Sequence, residues 1–596
     1  MPPWAGESLG LAAAVAISIG VVAVVAASAR SELMFRDGDS LVTTLVIRSL
    51  ATGQPQDWAM STVLFLPEAA TLGLLTLLGL GVNGTLALAG VVNLVAFYGA
   101  LRVAAGSAAR ARAPIAGALL ALAAFGLLAI SDTSPSRDAL ELASLLTLTT
   151  YYSATTIGVV LAVGIARRAL DRRQRGFGSG GSSRENSPAD AAAIDPRTEE
   201  LLSSGGSSRG NSPADAAAID PRTEELLSSG GSSRGNSPAD AAATDPRAGV
   251  SDGPGAWLWG SVAGLGVVAA ASVLTNPLFA AWGTVPLGLV LAVAWALRRR
   301  GPTLWLAGAL IAGTAVGFVG RMPLAPLIAN TGAGYADPSR WADSLGYYGA
   351  LLTERWSVPW GAASVIVLLA LWSWCLAATV VLARRGDVGA TVVAACGWVI
   401  PLLVVAGAIV LGTNAARYLQ PAAFAPLLGL LVLPGLSAVR AGAAASPLTS
   451  PRRALMAGIA GAGAVVLIVL AGAVGVPRIA AAASAPDADL ECVVDWVEQS
   501  GRTGGGQFWT VRLPKAHLAD PRSLVQVDHQ LRGYAWLVNR DDFTVGEVSF
   551  LVLDDQSPAF DLPGGASVED ARHVSCGRYT IADFGDAGLP LGPQRS

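Results

Sequence analysis

Charged side chains are scarce in this chain. Of its 596 residues, only 14% are Asp, Glu, Lys or Arg, whereas soluble proteins carry roughly 25%. Hydrophobic residues make up 52% of the chain, and the mean hydropathy is +0.51. These values exclude an ordinary soluble domain. The net charge of −3 lacks the basic excess that nucleic-acid binding requires, so no nucleic-acid partner is expected.

Histidine and cysteine are also scarce. The three histidines all follow residue 510 and do not have the spacing of metal ligands. Of the four cysteines, Cys492 and Cys576 lie in a C-terminal part that we expect outside the membrane. Disulfides form in such an oxidising environment, so a disulfide between these two cysteines is predicted. Cys375 and Cys396 fall within apolar runs and are interpreted as packing residues.

The first apolar run lacks both a basic start and a small-residue cleavage site, so it is predicted to be a retained helix. Runs near the ~20 residues needed to cross a bilayer recur along the chain. The total is predicted as about 11 spans, with 13 as the alternative, because 69–104 could cross once or twice and 133–147 could hide another. The predicted spans are 9–29, 69–104, 112–131, 148–167, 256–276, 278–297, 302–320, 360–383, 388–412, 419–439 and 454–476.

Arginine clusters predict the orientation of these spans. Positive residues favour the cytoplasmic side, and clusters follow several spans at Arg167, Arg168, Arg172, Arg298, Arg384, Arg385 and Arg440. We therefore predict a polytopic α-helical protein of a bacterial plasma membrane with a cytoplasmic N-terminus. Its parts would be an N-terminal membrane half (1–167), a cytoplasmic linker (168–255), a C-terminal membrane half (256–477) and a small external α/β domain (478–596).

The central segment 168–255 contains a repeated unit of 25 residues. The sequence Asn-Ser-Pro-Ala-Asp recurs after Arg184, Arg209 and Arg234. The unit is rich in Ser, Gly, Pro and Ala and offers little apolar surface to bury, so a disordered linker is predicted. A phosphorylated or partner-binding tether is the alternative.

The C-terminal segment 478–596 shows short alternating patterns typical of strands. Strands are predicted at 507–512, 523–527, 534–538 and 548–553, and a short helix is predicted at 491–498. These elements indicate a small α/β domain. The predicted disulfide would join the helix to the end of the sheet.

The first external loop, 30–68, carries acidic residues between two predicted spans. Asp37 and Asp39 follow the first span, and Glu68 precedes the next one. Carboxylates held at a membrane surface are costly to desolvate and usually have a function, so catalytic roles are predicted for all three. The alternatives are a turn at Asp-Gly-Asp and a helix N-terminal charge at Glu68.

Four short motifs fall at the ends of the predicted spans: Asp37-Gly-Asp39, Phe65-Leu-Pro-Glu68, Tyr151-Tyr-Ser153 and Arg417-Tyr418 with Gln420-Pro421. Together with the overall architecture, they resemble the GT-C type of integral-membrane glycosyltransferase, which includes protein O-mannosyltransferases and the aminoarabinose transferases of lipid A. At Tyr151-Tyr-Ser153 this chain has tyrosines where related sequences often have a His-His-Ser-like start of a span.

The resemblance implies a polyprenyl-phosphate sugar as donor and a cell-envelope glycan, lipid or protein as acceptor, with membrane lipid around the site. It also implies that an acid of the first external loop acts as base or as a metal-linked carboxylate. Asp37 and Asp39 are the candidates for the base and for holding a divalent ion such as Mg²⁺ or Mn²⁺. The group includes metal-dependent and metal-independent members.

Cationic residues are predicted to bind the donor, because a guanidinium matches a phosphate through two hydrogen bonds. Arg417 and Tyr418 follow a late span at the same side as the acids, and Arg36 would keep one acid ionised. The aromatic segment 321–359 adds Asp343 and Arg355 as candidates for sugar binding. The alternatives are an interfacial aromatic belt and, for Arg417, a snorkelling anchor.

Two other classes of function remain. A transporter or flippase of lipid-linked sugars would show internal repeats and charges at mid-span, whereas the charges here cluster at one surface. A scaffold that binds cell-wall material would need only one anchoring helix. The enzyme is therefore the favoured prediction.

Overall fold

The computed structural model of the chain describes residues 3–107, 113–178, 256–298, 301–330, 334, 336–433 and 462–595. The chain divides into two units, Met1–Gly176 with Pro254–Ser596, and Phe177–Gly253. The predicted linker lies outside the described residues from 179 to 255. The helix before it runs to Gly178, so the predicted linker start at 168 was too early.

Helices form nearly all of the membrane part. In chain order they are α1 (Pro3–Ala26), α2 (Val42–Ala51), α3 (Leu66–Thr76), α4 (Gly81–Ala104), α5 (Pro114–Ile130), α6 (Ser153–Gly178), α7 (Ala256–Thr275), α8 (Ala280–Leu297), α9 (Gly301–Gly320), α10 (Trp341–Ser357), α11 (Pro359–Arg384), α12 (Val388–Val410), α13 (Ala416–Leu433) and α14 (Ala462–Ala483).

The predicted fold class is confirmed. Within the described ranges, ten helices are long and apolar enough to cross a membrane, and α5 is a shorter apolar helix at the position of another predicted span. The run 69–104 contains one such helix, α4, preceded by the short α3. In 133–147 the described helical structure is the short turn Ser144–Thr147.

Local sequence explains where the helices begin and how they pack. Proline stands at the first position of α5 and α11, where its missing N–H costs nothing. Asp387 caps α12 by accepting a hydrogen bond from the Ala390 N–H at 3.1 Å. Helices α7 and α9 approach closely because Gly317 has no Cβ, which would lie 2.7 Å from the Ala270 carbonyl oxygen.

The C-terminal domain follows α14 and is built around a five-stranded mixed sheet. Its helices are α15 (Ala488–Ser500) and α16 (Phe508–His517). The strand β1 (Trp58–Ala59) belongs to the first loop. The remaining strands are β2 (Gly504–Gly506), β3 (Leu524–Gln526), β4 (Arg532–Tyr534), β5 (Val538–Asn539), β6 (Glu547–Val548), β7 (Phe550–Leu553), β8 (Arg572–Cys576), β9 (Tyr579–Asp583), β10 (Leu589–Pro590) and β11 (Gly592–Arg595).

The order of the main sheet is β3-β2-β7-β9-β8. Strands β3, β2 and β7 are parallel, and β7, β9 and β8 are antiparallel. Strand β2, between β3 and β7, consists of three glycines, and a Cβ at Gly504 would overlap the ring of Phe550. A strand made only of glycine gives no alternating pattern, so the sequence did not reveal it.

The structure corrects two predicted elements of this domain. The predicted strand 534–538 is interrupted, because 535–537 lie between the end of β4 and the start of β5 and belong to no strand. Residues 507–512 were also predicted as a strand, but 508–512 form the start of the helix α16 and Gln507 precedes it. Their alternation of apolar and polar residues resembles a strand because both faces of this short helix are buried. The predicted helix at 491–498 lies within α15, and β3 and β7 lie within predicted strands.

The predicted disulfide is present. Cys492 of α15 is bonded to Cys576 at the end of β8, and their Cα atoms are 5.4 Å apart. The bond joins the helix to the edge strand of the sheet, as predicted. Cys375 and Cys396 are free and buried, in agreement with a packing role.

Candidate functional site

The first loop holds Asp37 among polar partners from distant parts of the chain. A π-helical turn, Glu32–Arg36, follows α1, and Asp37 comes next in an extended conformation. Its carboxylate accepts hydrogen bonds from the Ser40 N–H at 3.1 Å and from the Tyr151 hydroxyl at 3.0 Å. The bond from Ser40 is a local turn interaction. The bond from Tyr151 is not explained by a turn.

A third partner of Asp37 is Arg137, which lies between α5 and α6. Its Nη1 is 3.4 Å from Oδ1 of Asp37, whose side chain is only 7% exposed. Burial, and next the charge of Asp39, raise the pKa of Asp37 to about 6, although Arg137 acts in the opposite direction. Asp37 therefore keeps its proton to a higher pH than a solvated aspartate, whose pKa is near 4.

Asp39 faces a different cation. Nη1 of Arg417, at the start of α13, lies 3.9 Å from Oδ2 of Asp39. The amide of Gln420 on the same helix donates to the Tyr151 carbonyl at 3.1 Å. The acidic motif lies near the start of the membrane part of the sequence, and the Arg-Tyr motif lies near its end. The segment before α6 contacts both motifs and so brings them together.

Asp39 and Arg417 line one small cavity of about 60 Å³. Its walls come from the first loop, the segment before α6, the start of α13 and the C-terminal domain. The other lining residues are Ser61, Thr62, Val63, Phe65, Thr150, Tyr151, Tyr152, Tyr418, Trp536 and Leu537.

Three residues of this lining have a left-handed backbone. The φ angles of Phe65, Tyr152 and Leu537 are 51°, 64° and 52°, and Leu531 is the one further non-glycine case in the described part of the chain. A left-handed residue with a Cβ costs on the order of 1 kcal/mol or more, and such residues cluster at ligand sites. The fold therefore concentrates its backbone strain around the cavity.

The glycine of the Asp-Gly-Asp motif is the contact point for α16. A Cβ at Gly38 would lie 3.1 to 3.2 Å from atoms of Phe508, Trp509 and Arg512. Gly38 does not have a left-handed φ. The motif therefore needs glycine for close approach of the C-terminal domain, and not for a turn conformation.

Two further contacts bind the C-terminal domain to the first loop. Strands β1 and β5 pair antiparallel, with Trp58 opposite Asn539. Nη1 of Arg540 lies 2.7 Å from Oδ1 of Asp57. The guanidinium of Arg137 also stacks on the Trp509 ring, 3.9 Å from its centroid. The C-terminal domain thus forms one wall of the site.

Arg36 lies elsewhere. It pairs with Glu32 on its own turn and with Asp487 at 3.1 Å, and it lines a separate polar cleft of about 680 Å³ between the first loop, α14 and α15. The residue that pairs with Asp37 is Arg137, so the expectation that Arg36 would keep an acid ionised was wrong.

Glu68 also lies apart from the two aspartates. It is buried at the start of α3 and accepts hydrogen bonds from the Ala154 N–H at 3.2 Å and the Ser153 hydroxyl at 3.5 Å. It lines another cavity, of about 320 Å³, between α3, α4, α6 and α7. The segment 151–154 therefore contacts Asp37 at one end and Glu68 at the other.

The two candidates from the aromatic segment have different surroundings. Arg355 is buried and pairs with Asp132 at 3.0 Å and Glu141 at 2.6 Å. It lines an apolar cavity of about 510 Å³ between α10, α11, α12 and α13. Asp343 is exposed and pairs with Arg340 at 3.1 Å. Tyr335 of the same segment lies outside the described residues.

The acid pair is a poor fit for a divalent metal. Among the described residues, no three His, Cys, Asp or Glu side chains converge as metal ligands. A metal between Asp37 and Asp39 would also have to displace or lie beside Arg137 and Arg417, which repel a cation. We therefore assign no step to a metal.

Sequence reasoning missed two cations of the site. Arg137 stands in a polar segment without a motif, and Arg512 was placed in a predicted strand. The signal that could have found Arg512 is the pair Phe508 and Trp509, because spacings of four and three residues place these side chains on the same face of a helix as Arg512.

Comparison of the chain with protein-family models gave no match, and comparison with curated proteins gave none either.

Proposed function

We propose that this protein is a membrane glycosyltransferase that moves a sugar from a polyprenyl-phosphate donor to a cell-envelope acceptor. The observation that carries the proposal is the meeting of Asp39 and Arg417 across one cavity, at 3.9 Å. A base and a phosphate-binding cation are the two groups that this transfer requires. The acceptor would be a glycan, lipid or protein of the envelope.

The proposed reaction needs no redox partner. The acceptor hydroxyl attacks the anomeric carbon and loses its proton to Asp39, while the bond from that carbon to the phosphate oxygen breaks. Polyprenyl phosphate leaves with the additional negative charge. Arg417 can pair with that charge, and its loose contact with Asp39 leaves N–H groups for a phosphate oxygen.

Asp37 has a supporting role in this proposal. Its carboxylate holds Arg137 and Tyr151, and Tyr151 also lines the cavity. In the active form Asp37 is ionised, because its carboxylate then accepts the hydrogen bond that fixes the Tyr151 hydroxyl at the cavity. The pKa of Asp37, raised to about 6 chiefly by burial, would then limit activity at acid pH.

The apolar cavity of about 510 Å³ supports a lipid-linked donor. Its lining is aliphatic and aromatic and includes Leu419 and Ala423 of α13, on the helix that begins with Arg417. A prenyl chain has the matching chemistry, and cavities of this size are typical of ligand sites. Membrane lipid is the competing occupant.

The proposed location is the external face of a bacterial plasma membrane, with a cytoplasmic N-terminus and an external C-terminal domain. Two features support this orientation. The disulfide Cys492–Cys576 suits an oxidising compartment, and the arginine clusters of the sequence favour the other side.

Release of polyprenyl phosphate from a radiolabelled polyprenyl-phosphate sugar tests the proposal. The purified full-length protein is compared with Asp39→Asn, Asp37→Asn and Arg417→Met. We expect Asp39→Asn and Arg417→Met to lose at least 100-fold in turnover, which is typical for removal of a base or a charge-stabilising donor. Donor binding should be retained in Asp39→Asn.

Asp57→Asn is the matched control. Asp57 lies in the same loop, but its side chain is 61% exposed and its ion pair with Arg540 is at the surface. Surface ion pairs contribute little to the stability of the folded protein, so the turnover of Asp57→Asn should stay near that of the wild type. Unchanged turnover in Asp39→Asn would remove the acid from the mechanism. Donor binding without turnover in the wild type would favour a transporter or flippase of lipid-linked sugars.

A further inference from the structure

Arg512 of the C-terminal domain is a fully buried cation next to the acid pair. Its side chain extends from α16 and is 0% exposed. Its Cδ would be 3.2 Å from a Cβ at Gly38, between the two aspartates. The charges of Asp39 and Asp37 act on it, and burial lowers its pKa to about 10. Removing an arginine from water costs hydration free energy, so its contacts in the folded protein must offset that cost.

One end of the Arg512 guanidinium holds the wall of the cavity. Its Nη1 donates to the Leu537 carbonyl at 2.7 Å and lies 3.4 Å from the Gln526 amide oxygen. The Gln526 amide in turn donates to the carbonyls of Tyr534 and Trp536, both at 2.8 Å. Arg512 and Gln526 therefore hold the segment 534–537 in place through these hydrogen bonds.

This segment needs such support because Leu537 has a left-handed backbone, with φ of 52°. Trp536 and Leu537 both line the cavity with Asp39 and Arg417. A strained conformation persists only where its surroundings fix it. The bond from Arg512 to the Leu537 carbonyl is one of the contacts that fix it.

The other end of the guanidinium has no hydrogen-bond partner. Nε and Nη2 of Arg512 are buried and unpaired. The charged groups that act on this side chain are Asp37 and Asp39 of the first loop. The Phe508 ring covers the guanidinium, with 4.6 Å from Cζ to the ring centroid. Asp37 is itself faced by Asp39, Arg137 and Tyr151.

We propose that Arg512 is a positioning residue of the site: it holds the Trp536–Leu537 wall and places a positive charge beside Asp37 and Asp39. The inference deepens the proposed glycosyl transfer and rests on it for its kinetic test. The site is then complete only with the C-terminal domain in place.

Two variants separate the two roles. Arg512→Lys keeps the charge but replaces the planar guanidinium fork with a compact ammonium group, whereas Arg512→Met loses both the charge and the hydrogen-bond donors. Both should lower kcat/KM at pH 8 by about tenfold or more, because a displaced wall misplaces the substrate. Only Arg512→Met should raise the apparent pKa of the acid limb of the pH profile, by about half a pH unit, because a cation beside the two aspartates is lost. Equal acid limbs in the two variants would overturn the charge role.

Cysteine labelling tests the wall without any reliance on turnover. Ala535, within the same segment, is 5% exposed, and the native cysteines are buried or disulfide-bonded. Ala535→Cys should react with N-ethylmaleimide at least tenfold faster when combined with Arg512→Met. A cysteine at the exposed Val545 should react equally in both backgrounds.

Equal labelling of Ala535→Cys in the two backgrounds would overturn the wall role. Arg522→Met is the control for loss of an arginine, because Arg522 is 54% exposed and pairs with Asp520 at the surface. It should leave labelling and pH profile unchanged. If the wild type turns over no donor, the proposed function fails, and the labelling result still decides whether Arg512 holds the wall.

Discussion

Replacement of Arg137 by methionine should move the pH dependence of the proposed activity in a defined direction. Burial and the charge of Asp39 raise the pKa of Asp37 to about 6, and Arg137 lowers it. Without Arg137, the pKa of Asp37 rises further, because the charged form loses its cation. Since the ionised pair is the proposed active form, activity at pH 6 to 7 should fall while activity at pH 9 is retained.

The separation of the two groups sets the size of this shift. Nη1 of Arg137 lies 3.4 Å from Oδ1 of Asp37, and Arg137 is 29% exposed. Two charges ~4 Å apart interact by about 1 kcal/mol in water and by about 4 kcal/mol at an effective dielectric constant of 20. At 1.36 kcal/mol per pKa unit, even the lower value shifts the acid limb by roughly 0.7 unit, to near 7.

The assay is kcat/KM for polyprenyl-phosphate release measured from pH 5 to pH 9. Arg137→Lys is the matched variant, because it keeps the charge and should leave the acid limb near 6. Trp509→Leu removes the ring that stacks on Arg137 without removing charge, and it should also leave the limb in place. An acid limb that is the same in Arg137→Met and wild type would refute the assignment of this limb to Asp37.

Further variants test the packing around the site, each by thermal unfolding of the purified protein. Gly38→Val should destabilise by ~1–3 kcal/mol through overpacking against α16, whereas Gly99→Val, which has open space around it, should cost less. Cys492→Ser with Cys576→Ser should lose ~2–4 kcal/mol, because the bond closes a sequence separation of 84 residues; a wild type that is insensitive to reductant would contradict this. Arg355→Leu should lose ~3–5 kcal/mol, since it removes the ion-pair partner of buried Asp132 and one of the two arginines that pair with buried Glu141; an unchanged melting temperature would contradict that role.

The sequence carried enough information for the spans and for the meeting of Asp39 with Arg417. Long apolar runs specify membrane helices directly, because the bilayer imposes their length. Asp39 and Arg417 could be identified because each follows a span at the same side. The disulfide could be identified because only two cysteines lie outside the apolar runs.

Partners brought together by tertiary packing could not be identified in this way. Arg137 contacts Asp37 across 100 residues of sequence, and no local pattern marks it. Glu68 and Arg355 were correctly singled out as unusual charges, but their burial in separate cavities depends on neighbours from other helices. The helix α16 was misread because burial on both faces removes the helical period.

The pairing of β1 with β5 has a consequence for the order in which the protein is made. Asn539 donates to the Pro55 carbonyl across 484 positions of sequence. At translation rates of roughly 5–20 residues per second, the first loop emerges roughly half a minute to a minute and a half before its partner strand. During that interval the nascent chain carries the two aspartates without their C-terminal wall. Completion of translation is therefore the event that assembles the site, and a ribosome that stops early leaves a membrane-inserted protein without its C-terminal wall.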